Sequence, residues 1–261
     1  MKMDIQGRAA LLRGLDFWRR GSAALPIVVI FLAAIGAMAQ TTNTLSDGEI
    51  QGHKLAQKLL DQRPTENFTN TGTLRITGGS GRHTTISVTF KTIVHSDSWQ
   101  TVCNAKGLTA ELSINHKDNQ PNVYFNYAES DLILKPLSNS GINSPFANSD
   151  FWLGDLGLEF LHWPGQKILH GDTARGRLCK VLESTNPNPS TNGYSRVLCW
   201  IDNETLGIVE AEAYDAKNKK LKEFYPKDFK KVDGQWQVGS MEIDNVQTGS
   251  RTKLDFDLKA K

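Results

Sequence analysis

The chain has 261 residues, 39% of them hydrophobic and 22% charged, with a formal net charge of +2. So apolar a chain is not disordered, and its length suits one large β domain or two small ones. The slight positive excess comes from the first 39 residues, which hold five basic and two acidic side chains. The remainder is close to neutral and offers no electrostatic footprint for a nucleic-acid partner.

Those first residues follow the order of a secretory signal. Lys2, Arg8, Arg13, Arg19 and Arg20 precede an apolar core from Ala23 to Ile35, and Ala37-Met38-Ala39 forms a small-x-small cleavage site before Gln40. Residues 1–39 are therefore expected to be a signal peptide and 40–261 a single exported domain. A retained anchor is the alternative, although the apolar run from Ser22 to Met38 falls short of the roughly 20 residues that span a bilayer comfortably. Arg19-Arg20 lacks the flanking pattern of a twin-arginine signal, and Gln40 stands where a lipoprotein needs cysteine.

In the mature chain, Ser46-Asp47-Gly48-Glu49 reads as a capping box. Ile50, Leu55, Ala56, Leu59 and Leu60 follow at helical spacing until Arg63-Pro64. From Thr71 the period falls to two. Strands are expected around Leu74 and Ile76, then Ile86 to Phe90, Trp99 to Val102, Leu112 to Ile114 and Val123 to Tyr127. Ser138 to Ser149 is a polar loop, after which Ser149-Asp150 is placed to cap a short helix through Phe151, Trp152, Phe160 and Leu161, apolar enough to plug a sheet or act as a lid. Strands resume at Ile168, Arg177, Tyr194, Ile208, Leu221, Trp236 and Thr252, separated by turns such as Asp202-Asn203 and Asp233-Gly234. No internal repeat and no strand-helix-strand alternation is visible, so the expected fold is mainly β (α+β): a large antiparallel sheet curled into a barrel or half-barrel, with an N-terminal helix and a short lid helix.

Cys179 and Cys199 flank Pro189 symmetrically across a turn-rich stretch, and facing each other in a hairpin they would form a disulfide. Such a bridge contributes roughly 3 kcal/mol for a loop of about 20 residues. Cys103 is expected to be a small buried hydrophobe.

Signatures of catalysis are missing. The six histidines, among them His162 and His170, are scattered, and grouping those two with Cys179 as a zinc site has little to recommend it. Gly78-Gly79-Ser80-Gly81 reads as a hairpin turn, there is no nucleophile elbow, and Glu210 and Glu212 read as a solvated strand face. No enzyme, cofactor or metal is expected.

The stretch Ser149-Asp150-Phe151-Trp152-Leu153-Gly154-Asp155-Leu156, and then Trp200-Ile201-Asp202, Ala211 to Asp215, Lys231 to Trp236 and Thr248 to Thr252, resembles the LolA-like outer-membrane lipoprotein-sorting proteins. That resemblance implies an unclosed β-barrel with helices over its mouth and an apolar interior that accepts acyl chains. It also implies work in the periplasm as a monomeric carrier or binding protein for lipoprotein acyl chains or other lipids. A lipidated protein gains about 0.8 kcal/mol per buried CH₂ from the bilayer, so an aqueous carrier has to offer equivalent burial. On such an inner face the alternation would place Val88 and Phe90, Leu198 and Trp200, Trp236 and Val238, and Leu254 and Phe256, with Trp152 and Trp163 in the lid. The alternative is an envelope sensor or protein-interaction module built on the same fold. A carrier predicts a vacant apolar cavity; the alternative predicts a filled interior and an exposed apolar patch.

Overall fold

The structure is a computed structural model that describes residues 45–128, 135–232 and 235–258. The expected signal peptide lies outside the described residues. Among these residues, no helix is long and apolar enough to cross a membrane.

Helix α1 (Asp47–Leu60) begins as its sequence requires. The Ser46 hydroxyl accepts from the Glu49 amide at 3.4 Å, and the Ser46 amide donates to the Glu49 carboxylate at 2.7 Å, two first-turn needs met reciprocally. Then come β1 (Phe68–Thr77), β2 (His83–Val94), β3 (Ser98–Ala105), β4 (Ala110–Lys117) and β5 (Val123–Ala128). A connection containing the one-turn helix α2 (Leu153–Leu156) leads to β6 (Gly165–Ala174), β7 (Arg177–Thr185), β8 (Arg196–Asp202) and β9 (Ile208–Tyr214). The chain ends with β10 (Lys220–Val232), β11 (Gln235–Asn245) and β12 (Ser250–Phe256).

All twelve strands lie in one antiparallel sheet in the order β5-β4-β3-β2-β1-β12-β11-β10-β9-β8-β7-β6. Two meanders are thus joined where β12 pairs with β1. The two edges, β5 and β6, are consecutive in sequence and unpaired with each other. The connection between them crosses the inner face, together with α1, and this is the unclosed barrel that the family resemblance implied, where the alternation alone left barrel and half-barrel open.

Helix α1 lies on β6 because Gly48 and Gly52, four residues apart, present a face without side chains. A Cβ on Gly52 would stand 2.5 Å from the backbone of Gln166 and Lys167. On its other side, Leu55 and Ala56 pack with Leu182, Val197, Cys199 and Ile201 of the wall and Leu161 of the connection. The opposite half of the interior is filled by Phe146, Phe151 and Leu153 against Leu74, Val88 and Leu254.

Three expectations need correction. Val197, Cys199 and Ile201 are buried inward, so Leu198 and Trp200 point outward: Leu198 sits in register between Glu183 and Glu212, and the Trp200 indole donates to Asp172 at 2.9 Å. Residues 197–201 are apolar on both faces, so period two could not choose between them. Secondly, β7 and β8 pair Cys179 with Asp202 and Cys199 with Leu182, which centres the hairpin between Ser190 and Thr191 instead of at Pro189. The odd offset puts the two thiols on opposite faces, and both are free. Thirdly, the helix expected through Phe151 to Leu161 is reduced to the one turn of α2 and a 3-10 turn (Glu159–His162), and the loop before it contains a further 3-10 turn (Phe146–Asn148). Leu158 takes a left-handed φ of 50°, and a Cβ on Gly157 would land on the Tyr124 hydroxyl. Cys103 is buried as expected, its thiol pushed up to about 12 by desolvation.

Two outcomes follow from this packing. Gly52→Ala should lower the denaturant midpoint by the equivalent of roughly 1–3 kcal/mol despite the better helix propensity of alanine, because backbone atoms of β6 cannot yield. Alkylation of exported protein in denaturant without reductant should label Cys179 and Cys199 both.

Candidate functional site

The connection is fastened to the wall through two aspartates. Asp150 accepts from the Thr252 hydroxyl at 2.8 Å and from Ser250, which ties the loop to β12. Its carbonyl accepts from the Lys222 ammonium of β10 at 2.6 Å. Asp155 accepts from the Trp152 amide at 2.8 Å and the Tyr194 hydroxyl at 3.2 Å, and stands 3.4 Å from the same ammonium. Lys222 is only 2% exposed, with its ammonium 3.7 Å from the centre of the Trp152 ring, which itself stacks on Tyr194 at 4.4 Å. Burial pulls the Lys222 pKa down, while Asp155 opposes that shift. This is a buried cation held by a carboxylate, a carbonyl and two aromatic faces.

Beside this latch lies an apolar chamber of about 260 Å³. Its roof is Leu59 of α1 with Leu158 and Leu161 of the connection; its walls are Leu206, Ile208, Phe224, Val238 and Met241. A further 40 Å³ void, sharing Leu158, Ile208 and Phe224, extends toward Ala211, Ala213 and Tyr194. Exposed Phe229 pairs in register with Val238, so it shares Val238's face of the sheet and carries the apolar surface outward.

Across Leu59, Gln62, Leu158 and Leu161 is a second cleft of about 480 Å³, partly polar and partly apolar, between α1 and the end of β4 with the turn that follows it. His116 stacks on Trp99 at 4.6 Å and bonds the Asn122 carbonyl oxygen at 2.8 Å. The Asn122 amide donates to the Gly157 carbonyl at 2.8 Å, and the Tyr124 hydroxyl donates to Glu159 at 3.0 Å, so β5 and the residue before it hold Gly157 and the 3-10 turn Glu159–His162. Gln166 of β6 holds the same turn from the other edge, donating to the Phe160 and Trp163 carbonyls at 2.9 and 3.0 Å. Desolvation pushes His116 down to about 4, lowers His162 and raises Glu159 to about 7.

The residues expected on the inner face divide accordingly. Val88, Phe90, Leu254 and Phe256 do face inward, but against the filled half, with Phe90 6.3 Å from Phe146 and 5.9 Å from Phe256. Val238 lines the apolar chamber and Trp163 the polar cleft. Trp152 belongs to the latch. Leu198 and Trp200 are on the outer face, and Trp236 is in β11 with its side chain outside the described residues. Sequence reasoning missed Lys222, Asp155 and Glu159. Their only signal was a lysine two positions before Phe224 in a strand, and carboxylates inside an apolar segment.

Because Asp155 keeps a buried cation paired, Asp155→Ala should cost more stability than Lys222→Met. We expect roughly 3–5 kcal/mol for the first and clearly less for the second, where Asp155 keeps two donors and the new side chain is apolar. Urea denaturation of both variants checks the order. Glu159, whose pKa is raised from about 4.5 to about 7, contributes stability that is present below about pH 4.5 and lost as pH rises through about 7. His116 works in the opposite sense, losing its contribution as pH falls from about 6.5 through about 4. Glu159→Gln should therefore gain stability relative to the parent between pH 5 and pH 8, a difference that leaves the His116 contribution unchanged; equal midpoint differences at both pH values would contradict it.

A family model described as an uncharacterized protein matches residues 104–259. No curated protein matches the chain. Among solved structures, a DUF1329 family protein from Desulfovibrio piger has a TM-score of 0.67 at 20% identity, over 81% of this chain and 92% of that one. A Vibrio parahaemolyticus domain, provisionally described as an outer membrane lipoprotein-sorting protein domain, gives 0.67 at 20% identity over 80% and 92%. A LolA superfamily protein from Nitrosomonas europaea gives 0.59 at 15% identity over 83% and 94%. The family model spans more than half of the chain, which therefore belongs to that family of uncharacterized proteins and has the unclosed-barrel fold of the LolA superfamily.

Proposed function

We propose that the protein is a non-enzymatic carrier or binding protein of the periplasm, exported by residues 1–39, that holds lipoprotein acyl chains or related lipids inside its half-barrel. The observation that carries this reading is the apolar chamber walled by Leu161, Leu206, Ile208, Phe224, Val238 and Met241. Burial of methylene groups there replaces the roughly 0.8 kcal/mol each that a chain forfeits on leaving a bilayer. The roof is Leu59 at the end of α1 with Leu158 and Leu161 of the connection, short segments that do not belong to the sheet. The provisional description of the Vibrio parahaemolyticus domain as a lipoprotein-sorting one fits this reading, and hand-over of intact acylated cargo to or from an envelope partner is its expected setting.

The second reading, an envelope sensor or interaction module, draws support from the other half of the interior, where Phe146 and Phe151 occupy the space a larger cargo would need.

The test is uptake of the neutral fluorophore N-phenyl-1-naphthylamine and its displacement by decanoyl compounds. Val238→Glu should weaken uptake at least tenfold, because an unpaired carboxylate is costly in an apolar wall. Leu178→Glu, at a site 70% exposed and outside the chamber, should leave it unchanged. Equal uptake by both variants, with thermal melts showing both folded, would count against the chamber and favour the interaction module.

A further inference from the structure

The chamber and the polar cleft share four residues, Leu59, Gln62, Leu158 and Leu161, so a chain lying in one has its end beside the other. The chemistry of the cleft then dictates what that end is. Two of its formal charges are paired, Asp118 with Arg63 at 3.0 Å and, near the surface, Lys117 with Asp97 at 4.0 Å, while Asp61 keeps its negative charge and accepts from the Gln57 amide at 2.8 Å. The groups left for a ligand's head are mostly neutral donors and acceptors. The half-buried His162 imidazole and the Gln62 amide have no hydrogen-bond partner among the described residues, and desolvation keeps both His116 and His162 neutral near pH 7. A phosphate or carboxylate entering here would lose its water beside the Asp61 and Asp118 carboxylates, with Lys117, already shared with Asp97, as the one cation in the lining among the described residues. Hydroxyl, ester or amide groups would meet donors and acceptors already in place. The volume of the chamber, below that of pockets that enclose drug-sized ligands, suits one chain and not several.

We propose that the site takes a single-chain amphiphile with an uncharged, hydrogen-bonding head, of the monoacylglycerol type, the chain in the apolar chamber and the head in the cleft against His162 and Gln62. This rests on the acyl-binding reading above. In displacement of N-phenyl-1-naphthylamine from the full mature protein at pH 8, monodecanoylglycerol should act at concentrations at least tenfold lower than decanoate or decyl phosphate. His162→Leu should erase a large part of that preference, threefold or more, while the affinity for the fluorophore, whose chamber His162 does not line, stays the same; Gln62→Leu, which lines both, should erase a similar part of the preference, with its fluorophore affinity measured separately. Displacement by the charged ligands at equal or lower concentration, or an undiminished preference in both variants, would overturn the head-group assignment and leave the chamber standing. Failure of the fluorophore to bind the parent protein would overturn the acyl-binding reading and this assignment together.

Discussion

The seam between β5 and β6 governs the rest of the molecule. An antiparallel sheet that curls through twelve strands without pairing its two edges leaves a concave apolar face open along one side, and exposed apolar surface of that extent is not tolerated in water. Since β5 and β6 are neighbours in sequence, the segment between them starts and ends at the gap and is the natural cover. It is accordingly rich in Phe, Trp and Leu from Phe146 to Trp163, unlike an ordinary surface loop. Helix α1 supplies the remainder, laid on the β6 edge through its two glycines.

The cover is not uniform, and the difference is chemical. Its first part is pinned at Asp150 and Asp155 by Lys222, Thr252 and Ser250, so Phe146 and Phe151 fill their half of the interior as a fixed core. Its second part is held by hydrogen bonds from the uncharged side chains of Asn122, Tyr124 and Gln166, Tyr124 donating to the Glu159 carboxyl, and beneath it lies the apolar chamber. A buried lysine is an expensive fastening, since desolvating the ammonium offsets much of its attraction to Asp155. What it supplies is position: one charged donor fixes two successive turns of a segment that otherwise has little regular structure.

The fold was largely legible in the sequence because most strands face water on one side and the core on the other, which writes period two plainly, as in Ile86, Val88 and Phe90. It became illegible where that contrast vanished. Val197 to Ile201 is apolar at five consecutive positions, so Leu198 and Trp200 were assigned to the wrong face, and a shift in the centre of the same hairpin undid the expected disulfide. The chamber was legible only at Val238. Its other walls come from α1, the β8–β9 turn, β9, β10, β11 and the connection, groups that only the tertiary fold brings together, and the latch depends on a lysine whose inward direction is set by strand parity in β10.

Together these features describe a barrel with one half closed on its own side chains and the other kept apolar and partly vacant beside a neutral polar cleft. The most direct measurement of its central claim is a crystal structure of the mature protein with a decanoyl chain brominated at its last carbon, read at the bromine absorption edge. The account predicts one anomalous peak enclosed by Leu161, Phe224 and Met241. A peak on the outer face, or at the seam with the chamber unfilled, would contradict it.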